Sequence, residues 1–311
     1  MKRYFYLLAF VFYLGPVHAQ LTSGITGKRD TSYSTWSAYN STRKTHPDIR
    51  IVKEQIFDQV TEHRNLVYAR IGERPLQIDA FLPKTSTKPA PAILIIHGGG
   101  WRSGNRSQHI PLAQHLAAAG YACFTTEYRL STEALYPAAV DDLRKALAWI
   151  KANAKRFDVD QKKLAVLGFS AGGELAAFIG ATSGNDVQAI IDMDGTLSFV
   201  HPDSGEGDDS RSTSAATYWL GYAKKDNPVL WTAASPLTYA RQNKAPFLFL
   251  NSAVERMHAG RDDFREILKE NGIYTEAHTF EGAPHSFCLF DPWFQPTVHY
   301  ITTFLHQVFK P

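Results

Sequence analysis

The chain predicts an α/β domain with a mostly parallel central sheet and helices on both of its faces. Three observations lead there. Apolar runs such as Ala92-Ile93-Leu94-Ile95-Ile96 are continuous, as strands covered on both faces must be, and do not alternate. Helical patterns fall between those runs down the chain, which is how a parallel sheet is wound. The 311 residues are 44% hydrophobic and 20% charged, an ordinary globular composition long enough to bury one sizeable core.

The elements follow in order. Met1-Lys2-Arg3 is basic, Tyr4 to Gly15 is almost wholly apolar, and Val17 and Ala19 are the small residues of an A-x-A-like site. Residues 1–19 are therefore expected to be a signal peptide, cleaved after Ala19, with the product periplasmic or extracellular. The apolar run is short for a bilayer span, and no other stretch is long enough, so no stable membrane insertion is expected. Residues 20–51 are rich in Ser, Thr, Gly and charge and predict an irregular lead-in over the surface. The catalytic domain is expected over 52–311. It opens with strands at Leu66–Ile71 and Leu76–Leu82 around a Gly-Glu-Arg-Pro turn, then Ala92–Ile96.

A helix over Pro111–Gly120 closes on glycine, and a strand follows at Tyr121–Tyr128. Pro137–Lys155 reads as a helix with Pro137 at its start and Val140, Leu143, Leu147 and Ile150 on one stripe. Leu164–Gly168 is a buried strand, and Glu174–Gly180 belongs to the helix after it. Further strands are expected at Val187–Met193, Pro246–Leu250 and Tyr274–Phe280, and helices at Asp262–Glu270 and Thr297–Phe309. Residues 196–236 interrupt the alternation with an irregular, aromatic-rich excursion, expected to be lid-like.

Charge and cysteine content exclude some functions. With 33 Lys+Arg against 30 Asp+Glu the formal charge is +3, too little for a nucleic acid to be the main partner. Two cysteines, Cys123 and Cys288, make no disulfide framework and are expected as buried thiols. No metal-ligand spacing and no nucleotide-binding glycine pattern occurs, so neither metal nor cofactor is expected. The sequence carries no signal of oligomeric state.

Chemistry enters with Gly168-Phe169-Ser170-Ala171-Gly172-Gly173, directly after a strand and before a helix. In a G-x-S-x-G turn the serine sits on a sharp bend that exposes its hydroxyl, and the next amide opens a helix where negative charge is favoured. His97-Gly98-Gly99-Gly100-Trp101 follows another buried strand. The Gly99 and Gly100 amides, with that of Ala171, are expected to hold the oxyanion of an acyl-transfer transition state. One such donor is worth about 2.7–4 kcal/mol of barrier. His97 is expected to brace its loop by hydrogen bonds. Among the twelve histidines, His285 has the context of a general base, in a loop just past a strand's carboxyl end; His258 is the alternative. The acid is expected after Pro246–Leu250. Glu255 is the first choice, Asp262 the alternative, and Asp263 or no clear third member remains open.

These residues resemble the α/β-hydrolase superfamily, in the branch of esterases and lipases with an HGGG-type oxyanion loop. The order Ser170, acid, His285 is that family's order. Glu127-Tyr128-Arg129-Leu130 and Tyr136-Pro137-Ala138-Ala139 also resemble segments of that branch, where the arginine is held by acids, which implies a structural role for Arg129. Within the branch the chain is most similar to exported bacterial carbohydrate esterases that remove acetyl groups from pectin or xylan. Ile191-Asp192-Met193-Asp194-Gly195, His201-Pro202 with its Gly-Glu-Gly insert, and the segment Asn251–Asp262 carry that likeness. One departure stands out: where the superfamily commonly has G-x-x-D, this chain has Asn251-Ser252 and then Glu255. The resemblance implies a small ester or an acetylated oligosaccharide or polysaccharide as substrate. Trp101, Asp192, Asp194, Arg256 and His258, with the aromatics of the excursion, are then expected to line its mouth. A serine peptidase or amidase on the same fold, and a non-catalytic glycan-binding module, are the alternative functions.

Overall fold

The structure, a computed structural model, describes residues 19–84 and 88–310. The expected signal peptide lies, apart from Ala19, outside these residues. Among them no helix is long and apolar enough to cross a membrane. The chain opens with a helix, α1 (Thr35–Thr42), and a short strand, β1 (Arg50–Ile51). An antiparallel hairpin follows, β2 (Val60–Ile71) and β3 (Arg74–Pro83), turning at Gly72-Glu73. Next come β4 (Ala90–Ile96), α2 (Ile110–Ala118), β5 (Ala122–Thr126), α3 (Ala138–Ala152) and α4 (Ala154–Phe157). Then follow β6 (Val159–Phe169), α5 (Ala171–Thr182), β7 (Ala189–Met193), α6 (Ala215–Leu220) and α7 (Pro228–Ala233). The chain finishes with β8 (Phe247–Asn251), α8 (Arg261–Glu270), β9 (Thr275–Thr279), β10 (Phe290–Asp291) and α9 (Phe294–Val308).

Eight strands form one sheet in the order β2-β3-β5-β4-β6-β7-β8-β9. Only β3 runs against its neighbours. The continuous apolar runs serve two cores at once. In β4, Ala92, Leu94 and Ile96 face one core and Ile93 and Ile95 the other, because successive side chains leave opposite faces of a strand. Helices α3, α5 and α8 close the first face through Leu143, Ile179 and Phe264; α2 and α9 close the second through Leu116 and Ile301. The predicted fold class, with helices on both faces, is the observed one.

Some predicted elements differ. Helix α3 ends at Ala152, not Lys155; Asn153 stops it and Asp158 turns the chain back with φ of 50°. The lead-in is not irregular throughout. Ser34 and Ser37 cap α1 reciprocally, with amide-to-hydroxyl bonds of 2.8 and 3.1 Å. Ala38 of α1 is buried, and Tyr33 and Tyr39 pack on the core beneath α9. Nor is the excursion irregular, since it carries α6 and α7. Trp219 and Trp231 are fully buried, and Trp219 stacks on Trp101 with centroids 4.9 Å apart. These indoles anchor the excursion into the core and do not line a mouth. Cys123 and Cys288 are free and buried, as expected.

Candidate active site

The site gathers at the carboxyl ends of β4, β6 and β7. Ser170 caps α5 with φ 55° and ψ −123°, a bend that L residues adopt only where surroundings enforce it. The enforcement is close packing. A Cβ at Gly172 would overlap the carbonyls of Ile96 and His97, and one at Gly168 would overlap the Gly172 carbonyl. Glycine at both positions lets α5 start hard against β4. The Ser170 amide donates to the Met193 carbonyl at 2.8 Å, which ties the turn to β7.

His285 stands where the sequence predicts, in the loop after β9. Its Nε2 lies 2.9 Å from Ser170 Oγ, and its ring lies 5.0 Å from that of Phe169. The lead-in braces this loop: Thr42 Oγ1 and Ser286 Oγ are 2.9 Å apart, and His46 Nε2 lies 3.1 Å from the Gly282 carbonyl.

The carboxylate on His285 is Asp194. Its Oδ2 lies 3.0 Å from His285 Nδ1, so the sequence assignment of the acid is corrected. Glu255 is exposed in a short turn over Glu255–His258 and lines a separate open groove. Asp262 is exposed and paired with Arg261, and Asp263 faces His201. The physical reason is that β7 lies between β6 and β8, so a residue at its carboxyl end reaches His285 as readily as one after β8. The loop after β8 supplies donors instead. Ser252 N donates to Asp194 Oδ1 at 2.8 Å, and Asn251 Nδ2 is 3.4 Å from the same oxygen. The missing G-x-x-D after β8, together with Asp194-Gly195 closing the neighbouring strand, was the available signal.

Asp194 is completely buried and has φ of 54°. Burial opposes its charge, but the His258 and His285 imidazoles and the Ser252 amide outweigh it and hold the carboxyl at about 2. His258 Nε2 is 3.6 Å from Asp194 Oδ1, so His258 sits behind the acid and not at the mouth. Asp192 is also fully buried; its Oδ1 accepts from Gly195 N at 2.7 Å, and burial raises its pKa well above the usual carboxylate range. It too is no part of a mouth.

The oxyanion loop is held from several sides. Trp101 is buried, and its Nε1 donates to Glu174 Oε2 on α5 at 2.9 Å. It lines the cavity with one ring face stacked on Trp219, too buried to serve as a stacking platform for a sugar. Burial raises the pKa of Glu174 well above its usual value. His97 braces the loop as predicted: its Nδ1 is 2.9 Å from the Gly98 carbonyl, and its ring stacks on Tyr128 at 4.5 Å. Burial pushes its pKa down to about 4. Arg129 is held by Asp142 through contacts of 2.7 and 2.9 Å, the structural role expected of it.

Gly100, Ser170 and Ala171 open onto a cavity of about 70 Å³, walled also by Trp101, Ala215 and Met257. Gly99 and Gly100 have φ of 130° and 59°. Among the described residues their amides donate to no backbone or side-chain acceptor. Arg256 is exposed, with its side chain 3.4 Å from where a Gly205 Cβ would stand. Glu206 beside it lines the cavity, a residue the sequence reading noted only as part of an insert.

This geometry defines the class: an α/β-hydrolase of the kind that cleaves carboxylic esters. The chain belongs to the BD-FAE family, whose model matches residues 78–257. It is 31% identical over 274 residues to "Esterase LipC" of Mycobacterium tuberculosis (strain ATCC 25618 / H37Rv), covering 80% of this chain and 67% of that one. It is 27% identical over 288 residues to "Probable carboxylic ester hydrolase LipM" of the same organism, covering 83% and 65%. The chain thus spans about two thirds of the length of these relatives. A solved structure described as a "Truncated form of carbohydrate esterase from gut microbiota" matches with a TM-score of 0.67 at 21% identity, over 81% of this chain and 99% of that one. At that identity the likeness speaks to the fold.

Proposed function

We propose that the protein is an exported serine esterase that removes short acyl groups, acetyl foremost, from plant polysaccharide or its oligosaccharides. The carrying observation is the line Ser170 Oγ, His285 Nε2, His285 Nδ1, Asp194 Oδ2, with links of 2.9 and 3.0 Å, beside a small cavity. His285 Nε2 takes the Ser170 proton as Oγ attacks the ester carbonyl. The amides of Gly99, Gly100 and Ala171 receive the oxyanion. The C–O bond to the alcohol breaks, and His285 returns the proton to the leaving oxygen. Water, deprotonated by the same imidazole, then cleaves the acyl-enzyme and regenerates Ser170. Asp194, ionised and buried, fixes the Nδ1–H tautomer and stabilises the imidazolium.

The size of the cavity supports the acyl choice. Typical ligand pockets are about 300–1,000 Å³, and one of about 70 Å³ suits an acetyl group better than a long chain. Export rests on the basic-then-apolar start of the sequence, and the glycan on the motifs of the segments 191–195, 201–207 and 251–262. The test is acetate release from acetylated xylan and acetylated pectin, with p-nitrophenyl acetate alongside. Wild type is expected to release acetate from at least one polymer and Ser170→Ala from neither. Turnover of p-nitrophenyl acetate without release from either polymer would overturn the glycan assignment. Equal turnover by wild type and Ser170→Ala would overturn the esterase assignment.

A further inference from the structure

Glu206 sits in the Gly205-Glu206-Gly207 turn of the excursion, and its side chain lines the cavity above Ser170. Its backbone amide is used, donating to Ser204 Oγ at 3.3 Å. Its carboxylate has no hydrogen-bond donor and no ion-pair partner among the described residues. Arg256, His285 and Lys224 act on it only as nearby charges. Burial raises its pKa, and those three charges work against the rise. A half-buried carboxylate without donors is costly, and a donor brought by the substrate removes that cost.

The leaving alcohol must lie beside the imidazole, because Nε2 protonates the departing oxygen. Glu206 lines the cavity, and an acetyl group carries no hydrogen-bond donor, so a donor that reaches the carboxylate comes from the alcohol half of the ester. Trp101, Ala215 and Met257 give the cavity an apolar side that suits the acyl methyl, and Thr196 completes the lining.

We propose that Glu206 is a specificity residue whose carboxylate accepts a hydrogen bond from a free hydroxyl on the alcohol half of the substrate, so that partly acylated sugars are chosen over simple alkyl or aryl esters. The inference rests on Ser170 as the nucleophile of an ester hydrolase and narrows the substrate of that same site. A hydrogen bond to an ionised group is worth about tenfold to a hundredfold in kcat/KM when the partner is deleted.

The test is a ratio. kcat/KM is measured for a methyl xyloside carrying one acetyl group beside a free hydroxyl, for the same sugar with its other hydroxyls methylated, and for p-nitrophenyl acetate. Wild type is expected to favour the free-hydroxyl sugar ester over the methylated one by about tenfold or more. Glu206→Ala is expected to abolish that preference and Glu206→Gln, which still offers an acceptor oxygen, to restore part of it. A merely structural role would lower all three rates together and leave the ratio in place, which would overturn the inference, as would an unchanged ratio in Glu206→Ala. Acetylcholine is the second arm: a wild-type preference for it that Glu206→Ala removes would show a cation subsite and overturn the hydroxyl assignment. Hydrolysis of p-nitrophenyl acetate with neither sugar ester cleaved would overturn the substrate reading and this inference together. Sugar-ester cleavage with the preference intact in Glu206→Ala would overturn this inference alone.

Discussion

Asp194 Oδ2 stands 3.0 Å from His285 Nδ1, although Asp194 closes β7 and two further strands separate the residues in sequence. The carboxyl ends of β7 and β8 are neighbours, so either strand has an end within reach of the imidazole. Here β7 supplies the acid and β8 supplies the Ser252 amide that holds it. Asp194→Asn is expected to lower kcat on p-nitrophenyl acetate by about 10⁴-fold, because the amide forces the wrong imidazole tautomer. Glu255→Gln and Asp262→Asn are expected to stay near wild type. A large loss in either of those, with Asp194→Asn active, would move the role back to the loop after β8.

The same carboxylate makes stability depend on pH in a defined window. Asp194 is held at about 2 against an ordinary value of 3.8. A depressed acid contributes stability that is present above its unfolded pKa and lost as pH falls through the folded one. The shift corresponds to about 2 kcal/mol. Urea unfolding at pH 6 and pH 2 should show wild type losing about 2 kcal/mol more than Asp194→Asn. Equal losses would mean that Asp194 is not held ionised in the folded protein.

The bond from Trp101 Nε1 to Glu174 Oε2 joins the oxyanion loop to the helix that Ser170 opens. Glu174→Leu leaves the indole N–H buried and unpaired, at a cost of about 1–3 kcal/mol. It is expected to lower kcat on p-nitrophenyl acetate and to shift the fluorescence of the stacked Trp101 and Trp219. Glu174→Gln keeps an acceptor and should retain most activity. Because burial raises the pKa of Glu174, the wild-type side chain opposes folding increasingly as pH climbs above 4.5. Glu174→Gln should therefore lose less stability than wild type between pH 5 and pH 9. Matching stability profiles for the two would contradict a raised pKa for the buried Glu174.

Gly172 is the tightest structural demand of the serine turn. A methyl group there meets the Ile96 and His97 carbonyls, which are fixed in and just beyond β4. Gly172→Ala should destabilise by about 1–3 kcal/mol or more in urea unfolding and reduce activity with it. Unchanged stability and activity would mean that β4 and α5 pack less closely than described.

Legibility followed the reach of each signal. Strands β4, β6 and β8 are buried on both faces, so their apolar runs are continuous and readable without any neighbour. Ser170 and His285 were readable because each is marked locally, by glycines around the serine and by a strand end before the histidine. Helix α1 was not, since it buries only Ala38 and is held by a Ser34–Ser37 cap and by contacts far away in sequence. Helices α6 and α7 are six residues each and owe their place to Trp219 and Trp231 reaching the core, a tertiary fact without a local period. The acid is less legible, because strand order in the sequence does not give adjacency in the sheet. The sequence places Asp194 at the mouth and not behind His285, because nothing local says which way an Asp-Gly turn faces.

Ser170 is an activated nucleophile, and its reactivity can be measured directly. Treatment with the serine-directed organophosphate diethyl p-nitrophenyl phosphate, read by intact mass and peptide mapping, tests it without any choice of natural substrate. Wild type should gain one diethylphosphoryl group, mapped to Ser170, with loss of p-nitrophenyl acetate turnover in step, and Ser170→Ala should gain none. Undiminished turnover in fully labelled protein, or an adduct that persists in Ser170→Ala while Ser170 stays unmodified in wild type, would contradict the account.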